Sequence, residues 1–194
     1  MKRLFIAIPI FDAARMQIVH GILNDEYARK LPVNWTSYQN LHLTIQFLGD
    51  VDEKRIPELR NIMNNLPGTD QPQYLEFERF GAFPNMKSPR VLLYHMKENE
   101  YLRKMHKELA GSLKKSGFAP DQKPFKPHLT LGRVRRNVEI PESAMNTMTQ
   151  IASNHAIEKS PVDRICLFES LLRPNGPIYT VLYEKKLTSA APIN

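Results

Sequence analysis

One cysteine in 194 residues excludes an internal disulfide and leaves no thiolate cluster of the kind that holds zinc. That residue, Cys166, lies in the strand-like run Arg164-Ile165-Cys166-Leu167-Phe168 and reads as a buried, inert thiol. No apolar stretch approaches the length needed to cross a bilayer. The short apolar run after Met1 meets Asp12 and Arg15 without a small-residue cleavage site, so no leader is expected and the cytoplasm is the expected compartment. His-Glu-x-x-His is missing as well. Neither a metal nor a cofactor is expected.

With 42% hydrophobic and 24% charged residues, the chain has the composition of an ordinary globular protein. Its formal charge of +7 is unevenly spread: from Arg103 to Arg136 ten Lys or Arg face only Glu108 and Asp121. Such a basic region suits a polyanion, RNA or DNA first, although a solvated helix face would look the same.

Apolar spacing predicts a strand over Lys2–Ile10, then a helix from Asp12 carrying Met16, Val19, Ile22, Leu23 and Tyr27 until Pro32 stops it. A short extended piece at Val33–Thr36 precedes a strand over Leu41–Leu48. A second helix after Asp52 carries Ile56, Leu59, Ile62, Met63 and Leu66 on one stripe. Strands are expected at Tyr74–Phe80 and Val91–Met96, a helix at Glu98–Ser116, a strand at His128–Val134 and a helix at Pro141–Ser153. Two last strands, Arg164–Ser170 and Ile178–Leu187, flank a turn at Arg173-Pro174-Asn175-Gly176-Pro177, and the tail after Thr188 is expected to be loose. Without regular βαβ spacing, this mixture reads as α+β. No linker separates the halves, so residues 1–194 are expected to form one bilobal domain, a monomer, whose lobes are free to exchange strands.

The segment Leu41-His42-Leu43-Thr44-Ile45 returns 86 residues later as Pro127-His128-Leu129-Thr130-Leu131. In a strand, residues two apart share a face. His42 and Thr44 therefore share one face, and His128 and Thr130 another. If the two strands meet, two imidazoles and two hydroxyls line one cleft. One imidazole can act as base while the other, protonated, acts as acid. Hydroxyls and an arginine can hold the oxygens of a phosphate between them, which suits opening of a strained cyclic phosphodiester. The fifth residue after each His is Phe47 in the first half and Arg133 in the second. Strict alternation puts both on the face opposite their His. Gly132 permits a bulge that turns Arg133 back, whereas Phe47 fits either a core position or a ring offered to a base. His20, His95, His106 and His155 have no matching partner and read as surface or structural residues.

These residues, with the opening Arg3-Leu4-Phe5-Ile6-Ala7 and the extended motifs His42-Leu43-Thr44-Ile45-Gln46-Phe47-Leu48-Gly49 and His128-Leu129-Thr130-Leu131-Gly132-Arg133, resemble the 2H phosphoesterase superfamily. Within it the chain is similar to the RNA 2′,3′-cyclic phosphodiesterases, also described as 2′-5′ RNA ligases. The resemblance implies a bilobal α+β fold: two antiparallel-sheet lobes with pseudo-twofold symmetry, helices on the outer faces and the motif strands across a cleft. It implies metal-independent opening of an RNA terminal 2′,3′-cyclic phosphate to a 2′-phosphate. By position, His42 is the implied general acid and His128 the general base, with either able to serve each role in so symmetric a motif. Thr44, Thr130 and Arg133 are the implied phosphate ligands and Phe47 the nucleoside contact. RNA ends or cyclic nucleotides are the expected substrates, with no membrane and no obligate protein partner. Two other readings use the same cleft: 2′-5′ RNA ligation, and a nucleotide- or RNA-binding module without catalysis.

Overall fold

Strand β1 (Lys2–Pro9) shows how the sheet acquires two unlike faces. Leu4, Ile6 and Ile8 are buried in the large core, whereas Phe5 and Ala7 join a small separate cluster with Cys166 and Phe168. Alternation along the strand sends the two sets to opposite sides. The computed structural model describes residues 1–121, 123–173 and 176–188. After β1 come α1 (Asp12–Ile18), α2 (Glu26–Lys30), β2 (Val33–Trp35), β3 (His42–Val51), α3 (Ile56–Asn64), β4 (Tyr74–Leu75), β5 (Phe77–Phe83) and β6 (Val91–Met96). The chain continues through α4 (Glu100–Lys115), β7 (His128–Val134), α5 (Glu142–Ser153), β8 (Ser160–Pro161), β9 (Arg164–Leu171) and β10 (Ile178–Lys186).

Eight strands form one sheet in the order β10-β9-β1-β3-β7-β6-β5, with β2 also pairing β7. Among the described residues its strands all pair antiparallel. The lobes meet where β3 and β7 touch, and there a single pair, Leu43 and Leu129, is in register. The lobes do exchange strands: β9 and β10 complete the lobe built on β1 and β3, while β2 crosses to β7. The buried stripes of α3, α4 and α5 (Leu59 and Met63, Leu109 and Leu113, Met145 and Met148) pack with Leu43 and Leu129 in one core. Helices thus cover one side of the sheet, and the other carries the His-x-Thr side chains.

Two local expectations change. The helix after Asp12 is interrupted: α1 runs into a π-turn (Val19–Leu23), and α2 restarts behind Asp25, whose carboxylate accepts from the N–H groups of Tyr27 and Ala28. Asp12 caps nothing; it pairs with Arg15 and accepts from the Tyr38 hydroxyl. Met16 and Tyr27, expected on the apolar stripe, are exposed. The strand expected over Tyr74–Phe80 divides at Glu76, because Tyr74 and Leu75 pair with β8 instead of β6. The Pro174 and Asn175 of the expected last turn, and the tail after Thr188, lie outside the described residues.

Gly132 has a reason the sequence does not show. A Cβ there would stand 2.6 Å from Val33 Cγ1 and 2.9 Å from Trp35 Cε3, so β2 can pair with β7 only across a bare backbone. We expect Gly132→Ala to lower stability by about 1–3 kcal/mol through overpacking. Thermal or urea denaturation checks this; an unchanged midpoint would show that β2 yields freely.

Candidate active site

Antiparallel pairing at Leu43 and Leu129 fixes the centre of the site. One residue to either side, His42 lies across from Thr130 and Thr44 across from His128. Since Leu43 and Leu129 point into the core, all four polar side chains point out of the opposite face. The structure therefore brings together the two motifs in a diagonal arrangement, imidazole facing hydroxyl twice.

Both imidazoles are oriented from behind in the same way. His42 Nδ1 donates to the carbonyl of Asn40 at 2.6 Å, and His128 Nδ1 donates to that of Lys126 at 2.7 Å. A ring nitrogen that donates to a carbonyl must carry the proton, so each neutral ring has its lone pair on Nε2. The Thr44 hydroxyl donates to His42 Nε2 at 3.1 Å. Burial lowers both pKa values, that of His42 to about 4, while the carbonyls oppose the shift and the Arg133 guanidinium reinforces it. His128 also lowers His42. Arg133 is thus close enough to both rings for its charge to be felt.

Arg133 reaches this face through a register shift, and the shift sits at Leu131 rather than Gly132. On β6, Leu93 opposes Thr130, yet Val91, two residues away, opposes Arg133. The extra residue reverses the alternation, so Arg133 joins His128 and Thr130. The same device operates in β3. Ala7 opposes Thr44 while Phe5 opposes Phe47, which places Phe47 on the His42 side and not in the core. Phe47 is 50% exposed and its ring centre lies 5.9 Å from that of Phe5. Strict alternation therefore fails at both fifth positions, for one shared reason.

Around His42 the face is aromatic. Phe5 and Tyr179 stand 4.9 and 5.3 Å from its ring, with Phe168 at 6.2 Å. Beside them opens a cleft of about 300 Å³ lined by Arg3, Phe5, Phe47, Ser170, Tyr179 and, from the loop before β7, Asp121 and Lys123. Buried Gln46 moors that loop by donating to the Asp121 carbonyl. Around His128 the face is different: Phe83 packs edge-on at 4.9 Å, and His95 lies directly opposite on β6. His95, read from sequence as lacking a partner, is thus a third histidine on the site face. Its alternation within Val91–Met96 was visible, but the neighbour of that strand was not.

The basic run divides. Arg103, Lys104, Lys107, Lys114 and Lys115 are exposed on α4, on the helical side of the sheet, whereas Lys123, Lys126 and Arg133 belong to the site side. Among the described residues no group of three or more His, Cys, Asp or Glu is placed to hold a metal, and no helix is long and apolar enough to cross a membrane.

Residues 25–172 match the model of the 2′-5′ RNA ligase superfamily. The chain is 36% identical to an RNA 2′,3′-cyclic phosphodiesterase of Archaeoglobus fulgidus over 91% of this chain and 96% of that protein. It is 34% identical to an RNA 2′,3′-cyclic phosphodiesterase of Thermotoga maritima over 94% of each. Among solved structures, a Thermus thermophilus protein superposes with a TM-score of 0.74 at 26% identity, covering 95% of this chain and 97% of its own. Escherichia coli LigT in complex with NADP+ gives 0.73 at 25% identity, over 97% and 98%. The expected α+β architecture of the 2H phosphoesterases is the one observed, and the chain belongs to the 2′-5′ RNA ligase superfamily.

Proposed function

We propose that this protein hydrolyses the terminal 2′,3′-cyclic phosphate of RNA to a 2′-phosphate, with the two motif histidines as acid and base and without a metal. The single-pair contact of β3 with β7 supports the reading best, because it sets two imidazoles on one face, each held at Nδ1 by a backbone carbonyl so that Nε2 is left for chemistry. The names of the relatives, RNA 2′,3′-cyclic phosphodiesterases, supply the substrate class.

In the reaction His128 Nε2 takes a proton from the attacking water as its oxygen bonds to phosphorus. The P–O3′ bond breaks on the far side, and His42 Nε2 delivers its proton to the departing O3′. Thr44 and Thr130 donate to the non-bridging oxygens, and Arg133 offsets the charge that grows on them. Phe47 offers its exposed ring to the base, beside a cleft of nucleobase dimensions. With 5′-hydroxyl RNA in place of water, the same groups would join ends by a 2′-5′ bond, the reaction after which the superfamily is named.

Four outcomes test this. His42→Ala and His128→Ala should each lower kcat/KM for a 2′,3′-cyclic nucleotide by about 10³ or more, and EDTA should leave the rate unchanged. Loss of turnover in EDTA, or turnover surviving either change, defeats the mechanism. A substrate with sulfur as the 3′ bridging atom expels a leaving group that needs no acid. It should restore turnover to His42→Ala but not to His128→Ala, and the reverse pattern would exchange the two roles.

Acidity gives the third test. The acid must be protonated, and burial lowers both rings in the free protein. The alkaline limb of kcat/KM should therefore begin below pH 6.5. The bound anion favours the imidazolium, so the same limb in kcat should lie at higher pH. Coincident limbs would show that phosphate does not load the acid. Finally, Phe47→Ala should raise KM by about tenfold or more with little change in kcat, as loss of one stacked base predicts. An unchanged KM would place the base elsewhere.

A further inference from the structure

The two lobes can be compared position by position across the waist. In the first, β1 and β9 bring Phe168, Cys166 and Arg164 onto the side of His42; in the second, β6 and β5 bring Phe83, Gly81 and Arg79 onto the side of His128. Pro9 opposes His42, whereas His95 opposes His128. Here the symmetry fails in a chemically useful way. Arg164 is occupied by Asp163 and Glu184, each at 3.5 Å. Arg79 is exposed and makes no ion pair among the described residues.

Arg79, His95 and His128 are direct cross-strand neighbours on β5, β6 and β7, and Thr44 of β3 continues the row. At about 4.8 Å per strand, the Cα atoms of Arg79 and His128 are roughly 10 Å apart, a gap that a guanidinium on a long side chain can narrow. His95 lies flat because of Gly81: a Cβ on that glycine would stand 2.6 Å from His95 Nε2. Phe83 walls the row, its ring edge-on to both His95 at 5.9 Å and His128 at 4.9 Å. Arg79, Lys126 and the carboxylate of Glu78 all act electrostatically on His95. The result is a shallow lane leading away from the reacting phosphate, with Arg79 and Lys126 as its cations and Glu78 opposing them, on the lobe that lacks the aromatic cleft.

We propose that Arg79, supported by His95 over Gly81, binds a second phosphodiester of an RNA strand, so that the substrate is an oligonucleotide rather than a mononucleotide. This rests on the phosphodiesterase reading. The lane's phosphodiester has two sources: the chain upstream of the cyclic end, or the strand that brings a 5′-hydroxyl.

The test compares kcat/KM for a mononucleoside 2′,3′-cyclic phosphate with that for a tetranucleotide ending in the same group. The unaltered protein should favour the tetranucleotide. Arg79→Gln should cut the tetranucleotide-to-mononucleotide ratio about tenfold, mainly through KM, and flatten the salt dependence of KM by about one phosphate contact. Gly81→Ala, which displaces the imidazole, should act in the same direction. A loss in hydrolysis assigns the lane to the upstream chain. A loss only in joining to 5′-hydroxyl RNA assigns it to the incoming strand. A ratio unmoved by Arg79→Gln in both assays overturns the proposal while the hydrolase reading stands. No turnover of either substrate by the unaltered protein would instead remove that reading itself.

Discussion

One backbone contact governs this molecule: the pairing of Leu43 with Leu129. Because both leucines are drawn into the core, the residues beside them are obliged to face outward, and those residues are His42, Thr44, His128 and Thr130. The hydrophobic effect, acting on two side chains that do no chemistry, thus aims the four that the proposed mechanism uses. The carbonyls of Asn40 and Lys126, each two residues before its histidine, finish the alignment by fixing the proton on Nδ1. Position and tautomer are therefore both set within a few residues of each motif. Only the meeting of the strands requires the whole fold.

Around this symmetric centre the lobes have diverged. The first presents the exposed ring of Phe47 and the half-buried ring of Tyr179 over buried Phe5 and Phe168, a surface suited to the flat faces of bases. The second presents Arg79, His95 and Arg133, a surface suited to the charged backbone. Nucleic acid offers those two features side by side, so the asymmetry of the lobes matches the asymmetry of a nucleotide. The large basic excess of the middle sequence contributes less than its size implies, since five of its cations ride on the far side of the sheet on α4.

What was legible in the sequence was local. The paired His-x-Thr segments announce themselves through repetition and two-residue periodicity, and most strands and helices through apolar spacing. What was hidden depends on partners. The shifts that rotate Phe47 and Arg133 are defined by β1 and β6, the strands they lie against, and no property of Ile45 or Leu131 foretells them. Gly132 looked like the cause of a bulge and proved to be the space that Val33 and Trp35 occupy. His95 looked solitary because its neighbour across the sheet, His128, is 33 residues away in the chain. Asp25 ended a helix that apolar periodicity carried through, since a side chain that caps competes directly with continued winding.

The bond from the Thr44 hydroxyl to His42 Nε2 means that this hydroxyl and this imidazole already satisfy one another. At that pair an arriving anion must exchange a partner rather than find one waiting, and exchange yields little net attraction. What that pair does not contribute in net attraction falls to the rest of the substrate and the surfaces that meet it. Selectivity in such a cleft is set by its walls, not by its centre.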